Sequence, residues 1–327
     1  MNISLVTPAS KHNQAGNWTT AVRWARILRT LGHKVTIRES DEYCDSDMMI
    51  AVHAWRSAES IARFANVWPN RPLVVCMAGT DIYQFQHSHP HETQYSMDAA
   101  DVLVCLNEMA QHAIPERFHG KLRIIHQSAQ PLVTPRKPSI RTFDVYVIGH
   151  LRDEKDPLRA AYAARLMPSD SRLRIVQLGR AHSDYWENVA KTEMAENSRF
   201  IWHGEVPRGE VRRHLSRSQA MVISSVSEGG ANVVSEAIIA GVPVIASDIQ
   251  GNIGLLGHDY VGRYPVGDTE ALANMLSRAE RESGFLEQIR TQCDLRAPMF
   301  SLDGEMDAWY RLLRELTGYS RIEIGAS

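Results

Sequence analysis

Short apolar runs alternate with amphipathic stretches along nearly all of the 327-residue chain, and no other feature limits the possible folds as much. Strands covered on both faces read as continuous apolar runs, and intervening stretches with helical period cover those faces. The pattern is therefore that of βαβ units and parallel sheets. In the first half the runs predict strands at 2–7, 34–38, 48–53, 73–78, 101–106 and 122–127. A helix is predicted over 19–30, with Val22, Ala25, Ile27 and Leu28 on one apolar face and Gly32 as its stop signal. In the second half strands are predicted at 143–148, 173–178, 199–202, 219–224 and 242–246, after which the chain becomes mainly helical beyond 268.

Residues 131–139 hold three prolines, Pro131, Pro135 and Pro138, and little periodicity. Proline removes a backbone donor and disfavours helix in the residue before it, so the domain boundary is placed here. The expected organisation is an N-terminal domain over 1–133, a second domain over 140–305, and a last helix from Met306 that crosses back to the first. The fold class is α/β, with two Rossmann-like doubly wound domains facing a central cleft, since ligands sit at the carboxyl ends of such strands.

The formal net charge is -2 and no long block of like charges occurs, which argues against nucleic-acid and membrane-surface partners. The start, Met1-Asn2-Ile3-Ser4-Leu5-Val6-Thr7-Pro8, reads as a strand and turn rather than a signal peptide, and no apolar run is long enough to span a bilayer. The cysteines are Cys44, Cys76, Cys105 and Cys293, none in a C-x-x-C pair, which suits reduced thiols in a cytoplasmic protein.

The most informative stretch runs from Ser224 through Glu228-Gly229-Gly230-Ala231-Asn232 and Glu236 to Ala240-Gly241-Val242-Pro243-Val244. It reads as strand end, glycine turn, helix, glycine stop and strand. Amides at such a helix start can hold a diphosphate or sugar hydroxyls, and the glycines let the backbone come close. If the residues between Glu228 and Glu236 were all helical, the two carboxylates would be roughly 12 Å apart along the axis, at about 1.5 Å per residue. That span suits two hydroxyl-binding carboxylates at the ends of one nucleotide-sugar; the alternative is a solvated helix face.

Here the sequence resembles the retaining glycosyltransferases of GT-B fold that carry the E-x7-E signature, matched by Glu228 through Glu236. A second mark is Gly149-His150-Leu151-Arg152-Asp153-Glu154-Lys155-Asp156. The resemblance implies that Lys155 clamps the donor diphosphate. His150 stands where the family has Arg, and Arg152 is the candidate substitute. A third mark, Trp202-His203-Gly204-Glu205-Val206-Pro207, resembles the segment beside the nucleotide base, with Val206 as donor contact. Fixed positive charge and helix-end amides stabilise a leaving diphosphate, so no metal or other cofactor is expected.

In the N-terminal half three polar segments follow predicted strands: Lys11 to Thr20, His53-Ala54-Trp55-Arg56, and Gly79-Thr80-Asp81. The first includes Gly16 and Asn17 and feeds a helix that Thr19 or Thr20 would cap. An anion could bind there near Lys11, or it could be a plain loop. Thr7-Pro8-Ala9, Gly16-Asn17 with Thr20-Ala21-Val22-Arg23-Trp24-Ala25-Arg26, Leu31-Gly32-His33, His53-Ala54 with Arg56-Ser57, Gly79-Thr80-Asp81-Ile82-Tyr83 and Gly149-His150-Leu151-Arg152 with Glu154-Lys155-Asp156 resemble a narrower family, the selenosugar synthases of selenoneine biosynthesis. The resemblance implies transfer of selenophosphate to the anomeric carbon of a UDP-sugar, UDP-N-acetylglucosamine being the expected donor, with loss of UDP and phosphate. Selenophosphate is already anionic and needs cations and amides, for which Lys11, Gly16, Asn17 and Arg56 are the expected suppliers. A hydroxyl acceptor would instead need a base, where His53 or Asp81 could serve beside Thr80.

Other signals carry less. Asp45-Ser46-Asp47 spells a D-x-D that falls before a strand in the wrong half and reads as a turn, and His87-Ser88-His89-Pro90-His91 reads as a polar loop or lid rather than a zinc site. No G-x-G-x-x-G or Walker sequence is present. An ordinary hydroxyl-directed glycosyltransferase, a UDP-sugar epimerase and a nucleotide-sugar-binding protein without turnover remain as alternatives. The oligomeric state is not legible in these residues.

Overall fold

The structure is a computed structural model, and it describes residues 1–8, 16–40 and 45–318. The chain divides into two compact units, one formed by Met1–Ser128 with the segment from Ser301 onward, the other by Ala129–Phe300.

The first unit holds a parallel sheet of β1 (Asn2–Val6), β2 (Lys34–Arg38), β3 (Met48–Val52), β4 (Leu73–Met77), β5 (Val102–Cys105) and β6 (Leu122–Ile124), in the order β2-β1-β3-β4-β5-β6. Every residue of β3 and β4 is buried, as expected of central strands covered on both faces. One face is covered by the helices Gly16–Thr30 and Leu302–Thr317, whose Trp24 and Trp309 rings meet edge to face with centroids 4.8 Å apart. The other face carries Phe64, Met97 and Phe118.

The first helix starts at Gly16, so Thr19 and Thr20 lie inside it rather than capping it, and Thr20 Oγ1 donates to the Gly16 carbonyl at 3.0 Å. Its buried stripe is Thr20, Ala21, Trp24, Ala25, Ile27 and Leu28, while Val22 is 38% exposed. Val22 was expected on the apolar face; the large Trp24 side chain sets the stripe instead. The last helix begins at Leu302, earlier than the predicted Met306, with Ser301 Oγ accepting from the Gly304 amide at 3.2 Å. It is fixed by Glu305, which is 1% exposed. Glu305 Oε1 accepts from Arg23 Nε at 3.1 Å and Trp24 Nε1 at 2.8 Å, and Oε2 accepts from the Ser128 amide at 2.8 Å.

The second unit holds β7 (Phe143–Ile148), β8 (Leu173–Leu178), β9 (Phe200–Trp202), β10 (Ala220–Ile223), β11 (Val244–Ser247) and β12 (Arg263–Tyr264), in the parallel order β12-β11-β10-β7-β8-β9. Strand β12, two residues long, is too short to leave a periodic signal in the sequence. The proline-rich stretch 131–139 lies in this unit, where Arg136 Nη2 donates to the Ser218 carbonyl at 2.6 Å and the Lys137 amide to Ser216 at 2.8 Å.

Strand order reverses between β1 and β3 in the first unit and between β7 and β10 in the second. The diverging loops at such switch points open a crevice beyond the strand carboxyl ends. Cys76, Cys105 and Cys293 are buried and free, and Cys44 lies outside the described residues. Among the described residues no helix is long and apolar enough to cross a membrane.

Candidate active site

At the β7/β10 switch point the chain leaves β7 through Gly149 and His150. The parallel ladder continues past the strand ends: Gly149 N donates to Leu178 O at 2.9 Å, Leu151 N to Arg180 O at 2.9 Å, and His182 N to Leu151 O at 3.0 Å. The two loops therefore travel together, which brings the His150 and His182 rings to 5.0 Å between centroids. Gly179 makes this approach possible. It sits at φ +138°, and a Cβ there would lie 2.1 Å from the Gly149 carbonyl oxygen.

One helical turn over Asp153–Lys155 follows and is ended by Asp156 in the left-handed region at φ 43°. Ser224, at the end of β10, pins this turn by donating from Oγ to Asp156 O at 2.8 Å and Lys155 O at 3.1 Å. Lys155 Nζ thereby reaches the Glu228 carboxylate, which also accepts from Ser225 Oγ at 2.6 Å on the same oxygen, Oε1. Gly251 lies against Glu228 so closely that a Cβ would come within 2.0 Å of the Glu228 carbonyl oxygen.

Gly229, Gly230 and Ala231 lead into the helix Asn232–Ile239, and Ala231 at the cap position offers its amides no side-chain acceptor. The helix starts four residues after Glu228, so the axial rise expected for a continuous helix does not apply: half of the span to Glu236 is turn. Glu236 Oε1 accepts from Arg208 Nη2 at 3.1 Å. Arg152 Nη1 lies 3.3 Å from Glu154 Oε1. Val206 packs on Tyr146, Val176 and Leu178, and the neighbouring Gly204 carbonyl accepts from Gly179 N at 2.7 Å.

A pocket at this switch point is lined by Gly149, His150, Lys155, Gln177, Ser224 and Ser225, among others. Gln177 is fully buried; its Nε2 donates to Gly149 O at 3.0 Å, while its Oε1 has no partner. His150 Nδ1 is likewise buried without a partner. Burial first, then the neighbouring His182, Arg180, Arg152 and Lys155, pushes the His150 pKa down to about 4, so its ring is neutral at pH 7. Lys155, with the Glu228 carboxylate paired to it, thus stands in one crevice with His150, Gln177 and Ser225, an arrangement suited to a ligand with an anionic part beside hydroxyls.

At the β1/β3 switch point of the first unit the chain leaves β3 through His53, held at φ 78°. The fully buried carboxylate of Asp81 accepts from four amides at 2.7–3.1 Å, that of Ala54, just after His53, and those of Ala78, Gly79 and Ile82 in its own segment after β4. His53 is equally enclosed: Nδ1 accepts from Arg56 N at 3.2 Å and Nε2 meets Thr80 Oγ1 at 2.9 Å. Burial lowers its pKa against the opposing pull of Asp81. The Arg56 side chain is exposed, with its guanidinium 5.7 Å from the Phe85 ring centroid. Gly16 and Asn17 form the first turn of their helix, and Lys11 lies outside the described residues.

The segment around His87, His89 and His91 is not a loop. A π-helical turn over Asp81–Phe85 runs into Gln86–Ser88 and then into the helix Pro90–Ala99, with Pro90 at the first turn where its missing N–H costs nothing. His89 packs on Trp55, which stacks on Phe85 at 4.0 Å. Asp47 accepts from the Asn2 amide at 2.7 Å and Asp45 from Arg71 at 2.6 Å. Among the described residues no cluster of three or more His, Cys, Asp or Glu is placed to hold a metal ion.

Sequence reasoning missed His182, Gln177, Ser225 and Gly251. The signal was partly present: Gly179 follows β8 as Gly149 follows β7, which marks two loops in close approach.

Residues 136–294 match the family of glycosyl transferases group 1. The Xenopus tropicalis glycosyltransferase 1 domain-containing protein 1 is 25% identical over 276 residues, which cover 76% of this chain and 79% of the relative. Among solved structures, Anabaena Alr3699/HepE in complex with UDP and glucose aligns over 96% of this chain and 100% of its own, with a TM-score of 0.78 at 14% identity. A sucrose-phosphate synthase from Thermosynechococcus elongatus aligns over 98% and 100%, with a TM-score of 0.77 at 14% identity. The fold is the two-domain α/β fold of the GT-B glycosyltransferases, and the family match supports glycosyltransferase activity.

Proposed function

We propose that this chain, whose residues 136–294 match the group 1 glycosyltransferases, is a selenosugar synthase that transfers a hexose from a UDP-sugar, with UDP-N-acetylglucosamine as the expected donor, to selenophosphate. The donor diphosphate takes Lys155 and Arg152, with the amides at the start of Asn232–Ile239 and with His150. Glu228 and Glu236 take sugar and ribose hydroxyls, and Val206 lies beside the base. Complexes of Anabaena Alr3699/HepE with UDP, with UDP-glucose, and with UDP and glucose support the donor class.

In the reaction the selenium lone pair forms a bond to the anomeric carbon while the bond from that carbon to the diphosphate oxygen breaks and its electrons leave with UDP. Lys155 and Arg152 offset the negative charge that develops on the diphosphate. Water then takes the phosphoryl group from selenium, releasing phosphate and the selenol. The positive groups make the step independent of an added metal, so turnover is expected to persist in a chelator.

One observation carries the choice of acceptor. The two groups that would serve as base toward a hydroxyl are both occupied: Asp81 holds four amides, and His53 accepts at Nδ1 and so carries its proton on Nε2, toward Thr80. An acceptor that is already anionic needs neither. In this reading they position the loop, while Arg56, Thr80 and the Gly16 and Asn17 amides, with Lys11, meet the phosphate end. The likeness to a sucrose-phosphate synthase favours the second reading, an ordinary transfer to a small-molecule hydroxyl.

Mass spectrometry of the protein with UDP-N-acetylglucosamine, with and without selenophosphate, separates the two. A product with the selenium isotope pattern and UDP released only with both substrates is the expected result. UDP released at one rate whether or not selenophosphate is present, with no selenium in any product, would overturn the selenosugar reading.

A further inference from the structure

We propose that His150, backed by His182, is a proton-accepting contact for the donor diphosphate, so that the site gains a proton as the diphosphate binds; the inference rests on the donor-site reading above. Three observations point to it. The extended β7/β8 ladder fixes the two imidazoles side by side, 5.0 Å apart, at the lip of the β7/β10 crevice. His150 lines the pocket beside Lys155, and its Nδ1 is buried with no partner. Its other charged surroundings are mostly cationic: Arg152 and Lys155 from its own loop, and Arg180 and His182 from the loop after β8.

The acidic groups nearby are largely committed or act elsewhere. Glu154 lies against Arg152 and Glu228 against Lys155, and Glu205, from the loop after β9, acts on His182. Burial and then these cations oppose a charge on His150, which is why its pKa lies near 4. A diphosphate reverses the sign of the local field. A proton taken from solvent onto Nδ1 then donates to a phosphate oxygen, and binding becomes stronger as pH falls. An Arg at this position would carry its charge permanently; a histidine carries it only when the anion is present.

Calorimetry of UDP binding at pH 6, run in two buffers of different ionisation enthalpy, counts the protons taken up. UDP titrates in the same range, so the readout is the difference between the wild-type chain and His150→Asn. A group moving from about 4 to at least its ordinary 6.5 gives roughly three quarters of a proton at pH 6, present in the wild type and absent in the variant. Nitrogen NMR of wild-type protein labelled in histidine provides a second readout that needs no variant: one imidazole should pass from neutral to protonated as UDP is added. UDP binding with equal uptake in both proteins and no change in any imidazole would overturn the inference and leave the donor site standing. No UDP binding at all would overturn both.

Discussion

Lys155 Nζ and Glu228 Oε1 form an ion pair whose carboxylate oxygen also accepts from Ser225 Oγ at 2.6 Å. The cation proposed for the diphosphate is thus held by the carboxylate proposed for the sugar, and Ser224 fixes the turn that brings them together. In the proposed reading, donor binding exchanges these partners: Lys155 would turn to phosphate and leave Glu228 to accept from hydroxyls.

Replacing Lys155 by Ala should lower kcat for UDP-sugar cleavage about 10²–10³-fold, the usual effect of removing one fixed donor to a developing anion. Steady-state kinetics of Lys155→Ala beside Arg152→Ala check this. A Lys155→Ala enzyme with near-wild-type kcat would remove Lys155 from the diphosphate clamp.

The paired glycines offer a test of the site's architecture. Gly179→Ala should lower the thermal midpoint by at least about 2–4 °C, corresponding to about 1 kcal/mol in a unit of this size. Its Cβ would meet the Gly149 carbonyl at 2.1 Å, and its φ is +138°. Gly149→Ala meets only Lys155 Cδ at 4.0 Å and should leave the midpoint near that of the wild type. Differential scanning calorimetry of both variants decides it; equal midpoints would contradict the close approach.

The two enclosed histidines predict a loss of stability in acid. Burial lowers the pKa of His53 and brings that of His150 to about 4. The unfolded chain then binds more protons than the folded one, so the stability they contribute is present above their ordinary value of 6.5 and is lost as pH falls toward 4. The thermal midpoint should drop across that range, and His150→Asn should drop less than the wild type. A parallel fall in both proteins would remove His150 from the account.

Trp309→Ala should destabilise the first unit by about 3–5 kcal/mol, because Trp309 is fully buried against Trp24. Removing the chain from Ser301 should unfold that unit altogether. Denaturant melts followed by tryptophan fluorescence read both, and a truncated chain with an unchanged melt would contradict the assignment of this helix to the first unit's core.

Much of this was legible because it depends on local pattern. Strands buried on both faces, such as Met48–Val52 and Leu73–Met77, are apolar at every position, so their existence follows from composition and length. What local pattern could not give was set by contacts between distant residues. The apolar face of the first helix is organised by Trp24 meeting Trp309, far along the chain, and Val22 is left outside it. The histidine-rich segment has the polarity of a loop, yet Pro90 starts a helix there and His89 is held against Trp55. In the site, the spacing of Glu228 and Lys155 from their glycines was readable. The enclosure of Asp81 was not, since its four amides come from two segments that meet only in the fold, Ala54 after β3 and Ala78, Gly79 and Ile82 after β4. Residues 9–15, with Lys11, and residues 41–44 and 319–327 lie outside the described chain.

A crystal structure of the protein with UDP tests the central claim most directly. The account predicts the diphosphate within hydrogen-bond reach of Lys155 and of the amides that open Asn232–Ile239, with Glu236 turned from Arg208 to the ribose. UDP bound away from the β7/β10 crevice, with the Lys155–Glu228 pair undisturbed, would contradict it.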